Sequence, residues 1–331
     1  MTRHVVLVTY GEPPDANFYD QLVYSWRILL GLTLSVAPIP KYALPMIALK
    51  RAWSRTSLWG AEKYQSPLEP VTQNQADDMV EALRRLAPNE GWMVHTAYEF
   101  RDPLLSDVLK KLPGNERVTV VPMYVASSAF THEISMRTAE LANSGRAVPI
   151  RVLPALDPDV FAEICADHVA QHIAKLGAGG KDWALLLAAH GTLLTPPRPM
   201  ETGREATEDI AVGIEQRLKD SFGEIELGWL NHVYGGKWTE PSAEDALIQL
   251  SDQGYKRIVY FPFGFMADNA ESQLEGRVAL RARPWMEQYH LPCVNDSEAL
   301  ADALARQVIG LPAATQAAPV PPMEMGKVTV R

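Results

Sequence analysis

The sequence predicts an α/β protein of two similar Rossmann-like domains, each on a parallel sheet, with a ligand cleft between them. Three observations predict it. Strand-like apolar runs alternate with amphipathic helical patterns through most of the 331 residues, as in sheets covered by helices on both faces. The halves echo each other: "VVLVTYGEP" is matched later by "LLLAAHGTL", and "VTVVPMY" by "IVYFPFG". Finally, Tyr10, His190 and the acidic run Asp268–Glu275 each follow a strand, at the carboxyl ends where such sheets bind ligands.

The elements follow in order. Val5–Thr9 reads as the first strand, its apolar run too short for a signal peptide and ended by Tyr10-Gly11-Glu12-Pro13. The next apolar stretch, "ILLGLTLSVAPIPKYALPMIALKRAW", is broken by Pro38, Pro40, Lys41 and Pro45. It predicts no membrane span, and its first part, "ILLGLTLSVAPIP", is expected to form an apolar lip at the cleft entrance rather than a core helix. A helix is expected over 72–86, opened by a Thr72 cap, then a strand at Val118–Val121 and a helix over 159–176. Ala184–Ala189 and Arg257–Phe261 read as strands around a helix over 239–254, with a Ser242 cap and the Gly254 stop. The domains are expected at 1–146 and 147–310, followed by an Ala/Pro-rich flexible tail, 311–331.

Composition narrows the function. With 47% hydrophobic and 21% charged residues the chain suits a globular protein, and a net charge of −9 argues against a nucleic-acid partner. Two distant cysteines, Cys165 and Cys293, exclude a four-cysteine zinc site or iron–sulfur cluster and fit a reducing compartment. A cytoplasmic location is expected.

His190 ends a strand before a glycine, in a turn of small residues that leaves room for a ligand. Glu271 and Glu275, four apart, share one face if their segment is helical. Two readings stay open: a solvated helix surface, or a carboxylate ladder passing protons or a divalent cation. Imidazole facing carboxylates suits iron, zinc, cobalt or nickel. Tyr124 and His132 either line the cleft or pack a loop on the sheet. No phosphate-cradling glycine loop follows a strand, and "AHGT" is no nucleophile elbow.

Four segments in the right order resemble the ferrochelatase family: "VVLVTYGEP", "SPLEPVTQNQA", "LLLAAHGT" and the block from "KWTEPSAEDAL" through "GFMADNAESQLE". The resemblance implies a chelatase-like fold and insertion of Fe2+ into a porphyrin, protoporphyrin IX or coproporphyrin III, in haem biosynthesis. It implies His190 and Glu271 as the catalytic pair facing each other across the porphyrin. Tyr10 and Glu275 join that pair as expected metal contacts, and Tyr10, Arg27, Leu30, Tyr124 and Trp238 are expected against the macrocycle. No cofactor beyond the substrate iron is implied. There are departures: Asn269 stands where the D-H-x-E segment has histidine, Ala279 where some members extend the ladder, and Arg27 alone where some carry an arginine cluster. The alternatives are a non-catalytic haem or metal carrier of the same fold and a cobalt or nickel chelatase. An apolar mouth suits a less charged porphyrin or peripheral membrane contact. The tail resembles in layout the cargo-loading tails that dock enzymes into encapsulin shells.

Overall fold

A computed structural model describes residues 2–35, 39–230 and 236–312. The tail from residue 313 onward, with its expected docking partner or encapsulin shell, lies outside the described residues.

Two four-stranded sheets, parallel throughout, form the frame. The first comprises β1 (Thr2–Thr9), β2 (Gly91–Tyr98), β3 (Arg117–Pro122) and β4 (Arg151–Val152), in the order β2-β1-β3-β4. The second comprises β5 (Gly180–His190), β6 (Phe222–Leu230), β7 (Arg257–Phe261) and β8 (Glu287–His290), in the order β6-β5-β7-β8. The order is the same in both, so the two halves share one topology, as the sequence echo predicts. The chain direction reverses its spread beside β1 and β5, whose carboxyl ends carry Tyr10 and His190. The first sheet keeps β4 and so runs past the expected division at 146/147.

Ten helices cover the sheets among the described residues: α1 (Phe18–Ser35), α2 (Leu44–Ala61), α3 (Leu68–Leu86), α4 (Leu105–Lys111), α5 (His132–Ala142), α6 (Pro158–Leu176), α7 (Arg204–Leu218), α8 (Ala243–Asp252), α9 (Gly276–Leu280) and α10 (Glu298–Ile309). Their boundaries have local causes. Asp157 caps α6, with Pro158 in its first turn, and Gly177 ends it at φ 63°. Ser242 caps α8 by accepting from the Asp245 N–H at 3.0 Å. α3 differs from expectation. It starts four residues early, because Ser66 Oγ already accepts the Leu68 N–H, and Thr72 instead donates to the Leu68 carbonyl from inside the helix.

The expected lip also differs. α1 is a regular helix through "ILLGLTLS", because the prolines fall beyond its end, and Ile28 and Leu29 are buried in it. Pro45 sits in the first turn of α2, where a missing N–H costs nothing. No described helix is long and apolar enough to cross a membrane.

One continuous core joins both halves. Val5 and Leu7 of β1, Phe161 of α6 and Leu185 and Leu187 of β5 belong to the same buried cluster. α10 returns from the second half to pack on α3 of the first. The cleft between the sheet ends is therefore held by shared packing on the far side.

Candidate active site

A cavity of about 290 Å³ opens between the carboxyl ends of the two sheets. Ile28 and Leu32 of α1, together with Phe100 and Phe130, supply apolar wall. The two phenylalanine rings stack with centroids 5.4 Å apart and planes 19° from parallel, a flat surface suited to a planar aromatic ligand.

The second domain supplies the acid–base groups. β5 delivers His190 as its last residue, and Gly264 then lets the chain leaving β7 press against it. A Cβ at Gly264 would stand 2.5 Å from Ala189 Cα. After that approach the chain forms a π-turn, Ala270–Glu275, that runs into α9. Asn269 caps it: its Oδ1 accepts from the N–H groups of Glu271 and Ser272 at 2.8 and 3.0 Å, while Ser272 Oγ accepts the Asn269 N–H at 3.0 Å. The Gly276 N–H reaches back five residues to the Glu271 carbonyl, the wider ring of a π-turn. Both Glu271 and Glu275 thereby line the cavity. The solvated-surface reading of the two acids is set aside.

His190 Nδ1 lies 2.7 Å from Glu271 Oε1. Burial alone would lower the imidazole pKa, but the Glu271 charge and hydrogen bond, helped by Glu275, hold it above the ordinary histidine value. Glu275 is pushed up to about 7, first by burial and then by the Glu271 charge. A histidine held above its ordinary value and a glutamate poised near neutrality therefore line the same cavity.

Tyr10, Tyr124 and Trp238 line the cavity. Burial, reinforced by Glu12, raises the Tyr10 phenol well above its usual value, so it faces the cavity as a neutral hydroxyl. His132 packs behind the wall, its ring 6.1 Å from that of Tyr124, with its pKa lowered to about 4 by burial. Two residues are placed elsewhere. Arg27 turns away to pair with Asp102 at 3.2 Å, because α1 presents it on a flank, and Leu30 points outward, 39% exposed.

Sequence reasoning missed Glu12, Tyr24, Arg51 and Arg55, which also line the cavity. Arg51 and Arg55 are four apart on the inner face of α2, so the wall carries arginines that the reading of an apolar mouth omitted. The helical spacing inside "LKRAWSRTSLW" was the available signal. Arg55 is engaged: its Nε donates to Gln21 at 2.9 Å, and its guanidinium lies over the Tyr24 and Trp59 rings. Arg51 Nε has no hydrogen-bond partner. Among the described residues, no three His, Cys, Asp or Glu side chains are arranged to hold a metal ion.

Twin parallel sheets with a His–Glu pair at the switch-point cleft define a chelatase-type architecture. The family profile described as Ferrochelatase matches residues 3–310, and the chain belongs to the ferrochelatase family. The ferrochelatases of Brucella canis and Brucella ovis are 25% identical to it over 322 residues, covering 89% of this chain and 87% of each relative. Two solved structures share the fold. CbiX, the terminal enzyme of sirohaem biosynthesis in denitrifying bacteria, superposes with a TM-score of 0.51 at 16% identity, covering 94% of this chain and 99% of its own. SirB from Bacillus subtilis with Fe3+ gives 0.53 at 13% identity, covering 93% and 95%.

Proposed function

We propose that the protein is a ferrochelatase that inserts Fe2+ into a porphyrin of few carboxylates, protoporphyrin IX ahead of coproporphyrin III, as a step of haem biosynthesis. The observation that carries this reading is the 2.7 Å His190–Glu271 pair at the base of an apolar, aromatic-walled cavity. Metal entry into a porphyrin releases two pyrrole protons, so the site needs bases on the face of the ring. With Nδ1 turned to Glu271, Nε2 is the imidazole nitrogen left for a substrate proton. Glu275, poised near neutrality, is the next acceptor along the turn. Iron is a substrate here, met by His190 and Glu271, with Glu275 and Tyr10 as further contacts on its path. The walls supply flat packing that orients the macrocycle.

Charge supports the choice of porphyrin. Of the two arginines on the wall, Arg55 donates to Gln21 and lies 3.6 Å from Glu12, so Arg51 is the cation better placed to meet a substrate carboxylate. A tetrapyrrole fringed with many carboxylates would find too few cations among the described lining residues.

The outer face of α2 and the turn before it support peripheral contact with a membrane. Tyr42 and Trp53 are 85% and 70% exposed, Met46 and Leu49 are exposed beside them, and Lys41 and Lys50 flank the patch. Aromatic and aliphatic side chains rimmed by lysines suit an anionic lipid surface.

The test is anaerobic incubation of the purified protein with Fe2+ and, separately, protoporphyrin IX, coproporphyrin III and sirohydrochlorin, with Co2+ and Ni2+ as comparison metals. Loss of the metal-free spectrum should be fastest with Fe2+ and protoporphyrin IX. Turnover with none of them, or with sirohydrochlorin alone, would overturn the reading.

A further inference from the structure

Glu12 leaves β1 two residues after Tyr10 and is 2% exposed. Its carboxylate gathers partners from both domains. Within the first, Ser66 Oγ donates to Oε1, and Arg55 Nη2 lies 3.6 Å from Oε2. Ser66 Oγ in turn accepts the Leu68 N–H that opens α3. From the second, the Ala270 N–H donates to Oε1 at 3.0 Å. The Arg101 guanidinium, paired with Glu69, also donates to the Glu12 carbonyl at 2.8 Å and fixes the backbone.

Ala270 is the first residue of the π-turn, immediately before Glu271. The first N–H groups of a helical turn have no partner within it. Asn269 Oδ1 takes those of Glu271 and Ser272, and the remaining one, from Ala270, is taken by Glu12 across the cleft. The cap that aims Glu271 at His190 is thus completed by the other domain. A cleft needing only closure would be served as well by apolar contacts; a carboxylate here addresses one particular amide.

We propose that Glu12 is a positioning residue: anchored by Arg55 and Ser66, it holds the Ala270 amide and so sets the direction of Glu271 towards His190. This rests on His190 and Glu271 being the reacting pair. Burial, only partly offset by Arg55, Ser66 and the Ala270 amide, holds the Glu12 carboxyl above the ordinary glutamate value.

The test compares Glu12→Gln with Glu12→Ala. Both remove the charge, but glutamine keeps an acceptor for the Ala270 N–H. The first readout is the NMR titration of the His190 imidazole in metal-free protein, which needs no porphyrin. In Glu12→Ala it should fall towards the ordinary histidine value, because Glu271 is no longer held against it, while Glu12→Gln stays raised. The kcat for iron insertion should drop about 10- to 100-fold in Glu12→Ala with KM little changed, and recover in Glu12→Gln. Identical titrations and kcat values in the two variants would overturn the proposal. Should Glu12→Ala not fold, Ala270→Pro removes the amide donor while keeping the Glu12 carboxyl. A first helical position tolerates proline, and Asn269, at φ −154°, already has the extended backbone that precedes one. It should reproduce the fall in the His190 titration; an unmoved titration would overturn the proposal. If the wild type inserts no iron, the functional reading fails, yet the His190 titrations still decide what Glu12 does.

Discussion

His190 and Glu271 lie 81 residues apart in sequence and 2.7 Å apart in space. Two local devices bring them together: β5 ends at the histidine, and the close approach of Gly264 to Ala189 swings the π-turn over it. The imidazole side chain remains 47% exposed to the cavity, while the carboxylate beneath it is 16% exposed. The pair therefore presents the histidine to a ligand and keeps the glutamate as its partner.

His190→Ala should abolish metal insertion while leaving the protein folded. The ring faces open cavity, so its removal leaves no packed void and should move stability by less than about 1 kcal/mol. Loss of the base should slow turnover by about 10²- to 10⁴-fold. Turnover rates and thermal melts together check this; near-normal kcat would remove His190 from the chemistry.

Glu271→Gln should cost more kcat than Glu275→Gln, by about tenfold or more. Glu271 contacts the imidazole directly, whereas Glu275 lies one turn further and acts as a second acceptor. Steady-state kinetics of both variants decides it, and equal small losses would contradict the ranking.

The pH dependence of stability has a defined sign. Glu275 is pushed from 4.5 up to about 7 in the folded protein. Between those values the folded state keeps a proton that the unfolded chain has released, so stability falls as pH rises. His190, raised above 6.5, acts in the same direction: its contribution is present below that value and lost as pH rises through its folded value. Glu275→Gln removes the carboxylate's share. The fall in melting temperature from pH 5 to 8 should therefore be smaller in the variant than in the wild type. An equal or steeper fall would show that Glu275 does not titrate in this range.

Much of the fold was legible because a parallel strand buried on both faces is written as an unbroken apolar run. Val5–Val8 and Ala184–Ala189, almost wholly buried, are of this kind. β2 and β6 sit at sheet edges, where "GWMVHTAY" and "FGEIELGWL" mix polar and apolar residues, and β8 has four residues, so none stood out. Readable strands placed His190 and the acidic run at the sheet ends, while their pairing was implied by the resemblance of "LLLAAHGT" and "GFMADNAESQLE" to family motifs. Glu12, Arg51 and Arg55 were not, since their roles depend on contacts across the fold: Arg51 and Arg55 read as ordinary helix-surface charges until α2 is folded over the cleft. Arg27 failed for the opposite reason, as the rotation of α1 about its axis cannot be read before Asp102 is seen beside it.

The helical form of the expected lip changes which leucine matters. Leu32 lines the cavity, whereas Leu30, two positions away, faces outward. Leu32→Asp should raise KM for porphyrin about tenfold, the scale of one lost apolar side-chain contact. Leu30→Asp should change neither KM nor melting temperature. A KM effect from Leu30 as large as that from Leu32 would mean that the ligand reaches beyond the cavity to the outer face of α1.

The outer face of α2 bears on where substrate and product are exchanged. Met46, Leu49 and Trp53 are spaced three and four apart, so they form one stripe, opposite Ala48 and Ala52 on the buried side. Lys41 and Lys50 flank this stripe, and from Lys41 to Ala61 there is no acidic residue, in a chain of net charge −9. A local excess of positive charge beside an apolar stripe should draw this face to anionic lipid, with an attraction that salt screens. The protein should co-sediment with phosphatidylglycerol vesicles at low salt, less at high salt, and little with phosphatidylcholine. The triple change Met46→Ser, Leu49→Ser, Trp53→Ser should abolish sedimentation and leave iron insertion in detergent unchanged, because none of the three lines the cavity. Failure of the wild type to bind either vesicle, with elution as a dimer that the triple variant dissociates, would instead assign the stripe to a second copy of the chain.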